Sequence, residues 1–139
     1  MLRDLINNID LPGAQVVTGS DNTATVSPIV NTVGCRSVSF LIGTGVLADA
    51  DATYVVLIEE GDDSGLSDAA AVADADLIGT ELLAGFTFAA DGKGRKIGYK
   101  GSKHYVRCTV TPSANTGSSP VAILAVTEPL QRPSANPPA

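Results

Sequence analysis

Residues that could support catalysis are few and lie far apart in the sequence. His104 is the only histidine, and the alternation of a predicted strand around it turns its side chain inward, where it would serve packing. Glu59 and Glu60 are adjacent at the end of another predicted strand, so their carboxylates point to opposite faces and make a poor acid–base pair. The sequence contains no nucleophile elbow, phosphate-binding loop or dinucleotide-binding fingerprint. It therefore predicts a protein that is not an enzyme and that needs no cofactor.

Asp62–Asp68 is the segment that comes nearest to a metal-binding motif. Its acidic and serine side chains offer oxygen ligands, but the ligand order of an EF-hand and its closing glutamate are missing. An adventitious calcium site is the alternative that remains. Cys35 and Cys108 are too few for a disulfide scaffold and lack metal-ligand spacing. Both lie in or beside apolar strand patterns, so we expect free thiols buried in the core.

Arg95–Thr111 is the most informative stretch of the sequence. The pair Gly101-Ser102 near its middle suits a two-residue type II′ turn, which predicts a β-hairpin. Because side chains alternate along a strand, one face of this hairpin would belong to the core. The inward residues would be Ile97, Tyr99, His104, Val106 and Cys108.

The opposite face of the predicted hairpin would carry a basic surface, which we call the basic panel. Like charges that face each other across a strand pair are destabilising. The panel therefore favours an acidic partner surface, although a solvated face with splayed side chains explains it equally well. As candidate partner-binding residues the panel contributes Lys96, Lys100, Lys103, Tyr105 and Arg107.

The 139-residue chain carries a net charge of −6, which argues against general nucleic-acid binding. Acidic residues concentrate between Asp49 and Glu81, and most basic residues lie in Lys93–Arg107. This asymmetry is typical of docking between copies, or of charge balance within one chain. Met1–Leu11 lacks the apolar core of a signal peptide, and no run reaches transmembrane length. We expect a soluble cytosolic product with no membrane partner.

Short apolar runs separated by turns dominate the sequence. There are 14 glycines and 8 prolines, aromatic residues make up 4%, and tryptophan is absent, so the core must consist of Val, Ile, Leu and Ala. Roughly eight short strands predict an all-β fold, an antiparallel β-sandwich of jelly-roll type. Thr53–Ile58 is apolar on both faces and is predicted to be covered on both sides. The other predicted strands outside the hairpin are Gln15–Val17, Ala24–Val26, Ser37–Ile42, Leu77–Leu83, Gly85–Phe88 and Val121–Val126.

The two ends of the chain are predicted to lie outside the sandwich. Apolar residues at i, i+3, i+4 and i+7 form a helical stripe that ends at Pro12-Gly13, and we expect it to dock on its own domain or on a neighbour. The proline density after Glu128 excludes a helix or strand there. The predicted organisation is an N-terminal arm (1–13), a sandwich domain (14–128) and an extended Pro-rich tail (129–139). The apolar stripe, a second candidate for partner binding, consists of Leu2, Leu5, Ile6 and Ile9.

Three segments together resemble a known family. They are Tyr54–Gly61, Asp76–Glu81 and Arg95–Val110, and the most specific motif is Ile-Gly-Tyr-x-Gly-Ser-Lys-x-Tyr-Val-Arg at Ile97–Arg107. Together they resemble small virion structural proteins of tailed bacteriophages, in particular the jelly-roll cement, or decoration, proteins on the outside of the head. The resemblance covers roughly Ser37–Val126 and leaves both termini without a matching motif.

The resemblance implies a structural role in the virion. A cement protein binds the outer surface of the major capsid protein shell and stabilises the head, so the expected location is the outer capsid surface after synthesis in the host cytoplasm. The expected partners are the major capsid protein and other copies of this chain, in a homodimer or a trimer. The alternatives are a head–tail joining or tail component and a carbohydrate-binding jelly-roll module. The resemblance carries no catalytic residues.

Overall fold

Two antiparallel β-sheets, packed face to face, contain about half of residues 4–134, the part of the chain that the computed structural model describes. One short α-helix, α1 (Glu81–Ala84), and two 3₁₀ turns lie between the strands, and a third 3₁₀ turn precedes the first strand. In chain order the strands are β1 (Asp10–Gly19), β2 (Thr25–Val26), β3 (Val30–Asn31), β4 (Cys35–Thr44), β5 (Thr53–Gly61), β6 (Ala70–Ala71), β7 (Leu77–Ile78), β8 (Phe86–Thr87), β9 (Gly94–Tyr99), β10 (Tyr105–Ser113) and β11 (Ser119–Pro129).

The order of the strands defines the sandwich. Sheet A has the order β1-β11-β4-β9-β7, and sheet B has the order β2-β10-β5-β6, with β3 also on β10 and β8 also on β5. The long strands β4, β5, β9, β10 and β11 alternate between sheets A and B along the chain. Such cross-sheet connections are typical of a jelly roll. The predicted all-β antiparallel sandwich is confirmed.

Strand alternation builds the core between the sheets. Inward positions along β10 and β11 are buried while the residues between them remain partly accessible, as a strand with one covered face requires. The one aromatic pair in the described residues is Tyr54 stacked on Phe86, with ring centroids 4.6 Å apart. Burying each aliphatic side chain stabilises the fold by about 1.5–3 kcal/mol. The largest fully buried side chains, besides Tyr54 and Phe40, are Ile42, Ile58, Ile97, Ile123, Val30, Val56, Val106 and Val110.

The predicted β9–β10 hairpin is wrong. β9 pairs with β4 and β7 in sheet A, whereas β10 pairs with β2, β3 and β5 in sheet B. Ile97 and Val106 both face the core, but from opposite sheets. Alternation identifies the buried face of each strand and does not identify its neighbour, so it is satisfied equally by a hairpin and by a connection that crosses the sandwich.

Gly101 has a different role from the predicted one. It does not belong to the glycines with positive φ, so it supplies no type II′ turn. Instead, a Cβ at this position would lie 2.6 Å from Cζ of Tyr99. Gly101 is therefore required because the chain passes closely over the Tyr99 ring.

Two further strand predictions differ from the structure. Thr53–Ile58 is covered on one face only, since Val55 is 61% exposed while Tyr54 and Val56 are buried. The predicted strand Leu77–Leu83 is divided: only its first two residues pair as β7. Thr80 then caps α1, where its Oγ1 accepts a hydrogen bond from the Leu83 N–H at 3.1 Å. A capping threonine followed by Glu81 favours a helix over continued pairing.

The termini lie closer to the sandwich than predicted. Residues Ile6–Asn8 form a 3₁₀ turn, and β1 begins at Asp10, so Pro12-Gly13 lies within a strand and does not end a helix. Ser134 Oγ donates hydrogen bonds to the carbonyls of Ile6 and Ile9, at 3.1 and 2.6 Å. The start of the predicted tail thus lies against the start of the chain. Leu2 and residues 135–139 fall outside the described residues.

No helix among residues 4–134 is long and apolar enough to cross a membrane.

Candidate functional site

The residues of the predicted basic panel do not share one surface. Lys96 lies on the outer face of sheet A, where it pairs with Leu41 of β4. Arg107 and Tyr105 lie on β10 of sheet B, on the other side of the sandwich. The panel as a single surface is therefore wrong, because it depended on the hairpin. The two remaining members, Lys100 and Lys103, occupy the connection between β9 and β10.

Two of these cations are neutralised within the chain. Lys103 Nζ lies 2.6 Å from Asp62 Oδ2, and Arg107 Nε lies 2.8 Å from Glu59 Oε2. The Lys103 hydrogen bond holds the pKa of Asp62 below its usual value. These two ion pairs join the acidic segment of the sequence to the basic one. At these positions the opposite charges therefore balance each other within one chain.

The strongest surface feature is the outward side of sheet A, which we call the outer A face. Cross-strand register places Val16, Ala122, Gly43 and Gly94 in one row across four strands. The next row contains Ala14, Leu124, Leu41 and Lys96. In these two rows Lys96 is the only charged side chain.

Several apolar side chains of the outer A face are accessible to solvent. Val16 is 70% exposed, Leu41 is 40% exposed, and Ile78 on the outermost strand is 59% exposed. An outward sheet face in a monomeric protein is usually polar. Large contiguous apolar patches on a protein surface are typical of sites that bind proteins, membranes or other ligands.

The outer A face contains a shallow groove. Its lining combines the small residues Gly43, Gly94 and Ala122 with larger side chains, namely Leu41, Ile42, Leu124, Arg95 and Lys96. Glycine and alanine at adjoining positions of three strands leave room for side chains from another surface. The groove therefore offers apolar contacts beside two cationic side chains, Lys96 and Arg95, of which Arg95 donates a hydrogen bond to the Leu83 carbonyl.

The predicted apolar stripe extends this surface at one end. Leu5 and Ile6 are 68% and 64% exposed. Leu5 and Ile9 line a depression together with Ser39 and Val126 of sheet A. Leu5 and Ile9, which the sequence predicted as anchors, thus lie beside the outer A face. Whether they bind a partner stays a prediction.

The structure also locates two other candidates from the sequence, His104 and the acidic segment Asp62–Asp68. His104, predicted to point inward, is exposed, because the connection that carries it does not belong to a strand. Asp68 accepts the backbone N–H groups of Asp62 and Asp63 at 2.8 and 3.2 Å. Asp63 accepts those of Ser67 and Gly65, and these bonds, chiefly the one from Ser67, hold the pKa of Asp63 below its usual value. Among residues 4–134 no group of side chains is arranged to hold a metal ion.

The two cysteines are free thiols. Cys108 is fully buried and Cys35 is partly buried. Burial raises the pKa of the Cys108 thiol to about 12. Such a thiol stays protonated, which makes it a poor nucleophile.

Comparison with known proteins finds similarity among solved structures. No protein-family model and no curated protein matches the chain. A solved structure, that of the CBM22-1 xylan-binding domain of Xyn10C from Paenibacillus barcinonensis, is similar with a TM-score of 0.44 and 9% sequence identity. The match covers 87% of this chain and 85% of that domain. The assignment of the fold rests on the strand order given above.

Sequence reasoning missed the outer A face, although the signal was present. Phe40–Ile42 and Val121–Val126 are uninterrupted apolar runs. Such runs are typical of strands that are covered on both faces. Here the second face has no cover among the described residues, which is the observation that the function must explain.

Proposed function

We propose that this chain is a non-catalytic structural protein of the virion, of the cement type, that binds the outer surface of the major capsid protein shell through its outer A face. The observation that carries the proposal is the exposed apolar surface around Leu41 and Val16, with one central lysine. The resemblance at Ile97–Arg107 supports the choice of partner.

The chemistry of the outer A face favours a protein partner. Burying apolar surface contributes about 25 cal/mol per Å², and only part of this remains after the cost of association. Each copy would therefore bind with modest affinity. A shell that presents many equivalent sites gives tight attachment when copies are linked to one another.

Charge selects the partner surface. The chain as a whole is acidic, with a net charge of −6, but Arg95 and Lys96 line the groove, and the turn next to it contains Lys93. Like-charge repulsion would weaken binding to a strongly acidic surface, except where its carboxylates face these two lysines. We therefore expect an apolar capsid patch with an acidic group opposite Lys96.

Sugar binding is the weaker alternative for this surface. Protein surfaces that bind sugars usually stack the sugar rings on exposed aromatic side chains. Among the described residues the accessible aromatic side chains are Phe88, at 43% exposure, and the partly buried Tyr105. Neither residue belongs to a strand of sheet A.

The test is co-sedimentation of the purified protein with expanded phage heads that lack it. Leu41→Glu places a charge in the centre of the outer A face, and we expect it to lower head affinity by roughly tenfold or more. Lys96→Glu should weaken binding as well. The matched control is Val55→Glu, because Val55 is an exposed apolar side chain on the opposite sheet.

The outcomes separate the alternatives. Equal head occupancy by wild type, Leu41→Glu and Val55→Glu would refute the outer A face as the binding surface. Saturation at a dozen copies or fewer per head, roughly, would favour a joining or tail role. Retention by soluble polysaccharide together with indifference to heads would favour sugar binding. Thermal unfolding of each variant checks that the fold is retained.

A further inference from the structure

Strand β1 forms an open edge of sheet A. It pairs with β11 in unbroken register from Gly13 to Gly19, and no strand lies on its other side among residues 4–134. An edge strand presents a row of unpaired N–H and C=O groups, which is a template for pairing with a further strand.

The register identifies the groups that point outward. The Gly45 N–H donates to the Pro120 carbonyl at 3.1 Å. The backbone N–H and C=O groups of every second residue of β11, counted from Pro120, therefore point toward β4. The backbone groups of the residues between them, Val121 and Ile123, point toward β1, where these residues pair with Val17 and Gln15. It follows that the backbone groups of Ala14, Val16 and Thr18 face away from the sheet.

This edge lacks the usual protection against pairing. Leu11–Ser20 contains no charged residue, whereas natural edge strands are commonly protected by lysine, proline, a bulge or a covering segment. Pro12 and the bulge near it lie at the start of the strand and leave Ala14–Thr18 regular. Gly13 also approaches Pro28 closely, since a Cβ there would lie 2.9 Å from its side chain.

The other sheet edges are short or covered. β10 is flanked by β2 and β3, and β5 is flanked by β6 and β8. Between β6 and β8, α1 covers the edge of β5, where the Ile58 N–H donates to Glu81 Oε1 at 2.6 Å. At the other end of sheet A, β7 pairs only with Gly98 and Tyr99 of β9. The rest of β9 is a short stretch beside α1, where Arg95 donates a hydrogen bond to the Leu83 carbonyl. Among the described elements β1 is the only long open edge.

We propose that β1 pairs with β1 of a second copy of this chain, antiparallel and about a two-fold axis close to Val16. Ala14 would then pair with the partner's Thr18, and Val16 with the partner's Val16. A second copy is the fitting occupant because a self-pairing edge closes after two chains, and this sandwich has one such edge. No charged side chains are opposed along the paired residues.

The pairing would join the two A sheets into one continuous sheet and place the two outer A faces side by side. The proposal does not depend on the proposed capsid role, since the open edge exists whether or not the outer A face binds a head. Asp10 is the first residue of β1 and Asp21 lies just beyond its end, and each copy carries a net charge of −6. We therefore expect the dimer to become stronger as salt is added, because screening weakens the repulsion between copies.

The test combines light scattering with amide exchange on the full chain. We expect a molar mass that rises with concentration toward twice the 14.1 kDa of one chain. At high concentration the N–H groups of Ala14, Val16 and Thr18 should exchange slowly, and dilution should remove this protection. The N–H groups of Gln15 and Val17 should stay protected throughout, since β11 binds them.

Val16→Pro is the decisive variant. It removes an outward N–H that no described residue uses, so an edge strand tolerates it, and we expect loss of the dimer with the monomer still folded. Val16→Thr, which keeps the N–H, should retain the dimer. Leu41→Glu should also retain it, which separates this proposal from capsid docking.

Two results would overturn the proposal. The first is a protein that stays monomeric at all concentrations and whose Ala14, Val16 and Thr18 amides exchange freely. Protection of these amides that appears only when the protein is bound to phage heads would count as the same result. The second is a dimer that persists while these amides remain unprotected. Both readouts use the wild-type chain, so they hold even if Val16→Pro does not fold.

Discussion

The three tyrosines of this chain have hydroxyl groups in three different surroundings, which makes Tyr→Phe a sensitive test of the packing between the sheets. The Tyr99 hydroxyl donates to Glu60 Oε2 at 2.5 Å and accepts the Lys103 N–H at 3.0 Å. Tyr99 is on β9 of sheet A and Glu60 is on β5 of sheet B. This hydroxyl therefore ties the two sheets together where the chain crosses between them.

Tyr99→Phe should destabilise the protein. Tyr99 is 4% exposed, so the Lys103 N–H loses its partner in a partly buried place, whereas the Glu60 carboxylate keeps access to water. A hydrogen bond to a charged group is worth about 1.5–3 kcal/mol and a neutral one about 0.5–1.5 kcal/mol. Allowing for the partial solvation of Glu60, we expect a loss of about 2 kcal/mol, or about 6 °C in Tm.

The same substitution at the other two tyrosines should behave differently. The Tyr54 hydroxyl is buried and has no hydrogen-bond partner among residues 4–134, so Tyr54→Phe removes an unsatisfied polar group and keeps the stacking on Phe86. We expect a gain of about 1 kcal/mol. Tyr105 is partly exposed, and Tyr105→Phe should stay within about 0.5 kcal/mol of wild type.

Chemical denaturation followed by circular dichroism measures the three free energies of unfolding with one protocol. The expected order of stability is Tyr54→Phe, then wild type and Tyr105→Phe together, then Tyr99→Phe. If Tyr99→Phe were as stable as Tyr105→Phe, the tie between the sheets would contribute nothing. If Tyr54→Phe were the least stable, its hydroxyl would have a partner in solution, and the reasoning from unsatisfied burial would be wrong.

Two further predictions concern the loops. Gly101→Ala should cost about 1–3 kcal/mol, because its Cβ would displace the Tyr99 ring, whereas the neighbouring exposed Ser102→Ala should change the free energy of unfolding by less than about 0.5 kcal/mol; equal stability would contradict the close approach. Asp49 accepts hydrogen bonds from the Thr116 N–H and hydroxyl, both at 2.8 Å, and these bonds hold its pKa below the ordinary value of 3.8. The contribution of the Asp49 carboxylate to stability is therefore complete above pH 3.8 and is lost as the pH falls through the lower pKa of the folded state. We expect the difference in free energy of unfolding between wild type and Asp49→Asn to shrink on acidification. A difference that grows on acidification would contradict a lowered pKa.

The parts of the fold that could be predicted from sequence are those that depend on local pattern. Alternation in Ser37–Ile42 identified the buried face of β4, and the same rule placed Ile97 and Val106 in the core. Turn composition separated most strands. Strand partners could not be obtained in this way, because Gly101-Ser102 is compatible with a hairpin and with a crossing connection, and only the packing of Tyr99 under Gly101 distinguishes them.

The candidate site was less predictable than the fold, for a related reason. Lys96 and Arg107 are close in the sequence, and their pairing in one panel followed from the assumed hairpin. Once β9 and β10 lie in different sheets, Arg107 pairs with Glu59 and only Lys96 remains on the outer A face. Leu41 and Leu124 were overlooked because an apolar run does not reveal which of its faces will be covered.

The two outer surfaces of the sandwich differ in a way that folding alone does not require. On sheet B the outward face carries the charged pair Glu59–Arg107 and the accessible Thr109 and Thr111, beside one exposed apolar side chain, Val55. On sheet A, threonine or serine in place of Leu41 and Leu124 would satisfy the same strand geometry and would avoid an aggregation hazard. The proposed binding to a phage head would give these apolar residues a role, because it would cover the outer A face. If β1 also pairs with a second copy, two such faces lie in one surface, and attachment to a repeating shell gains from both at once.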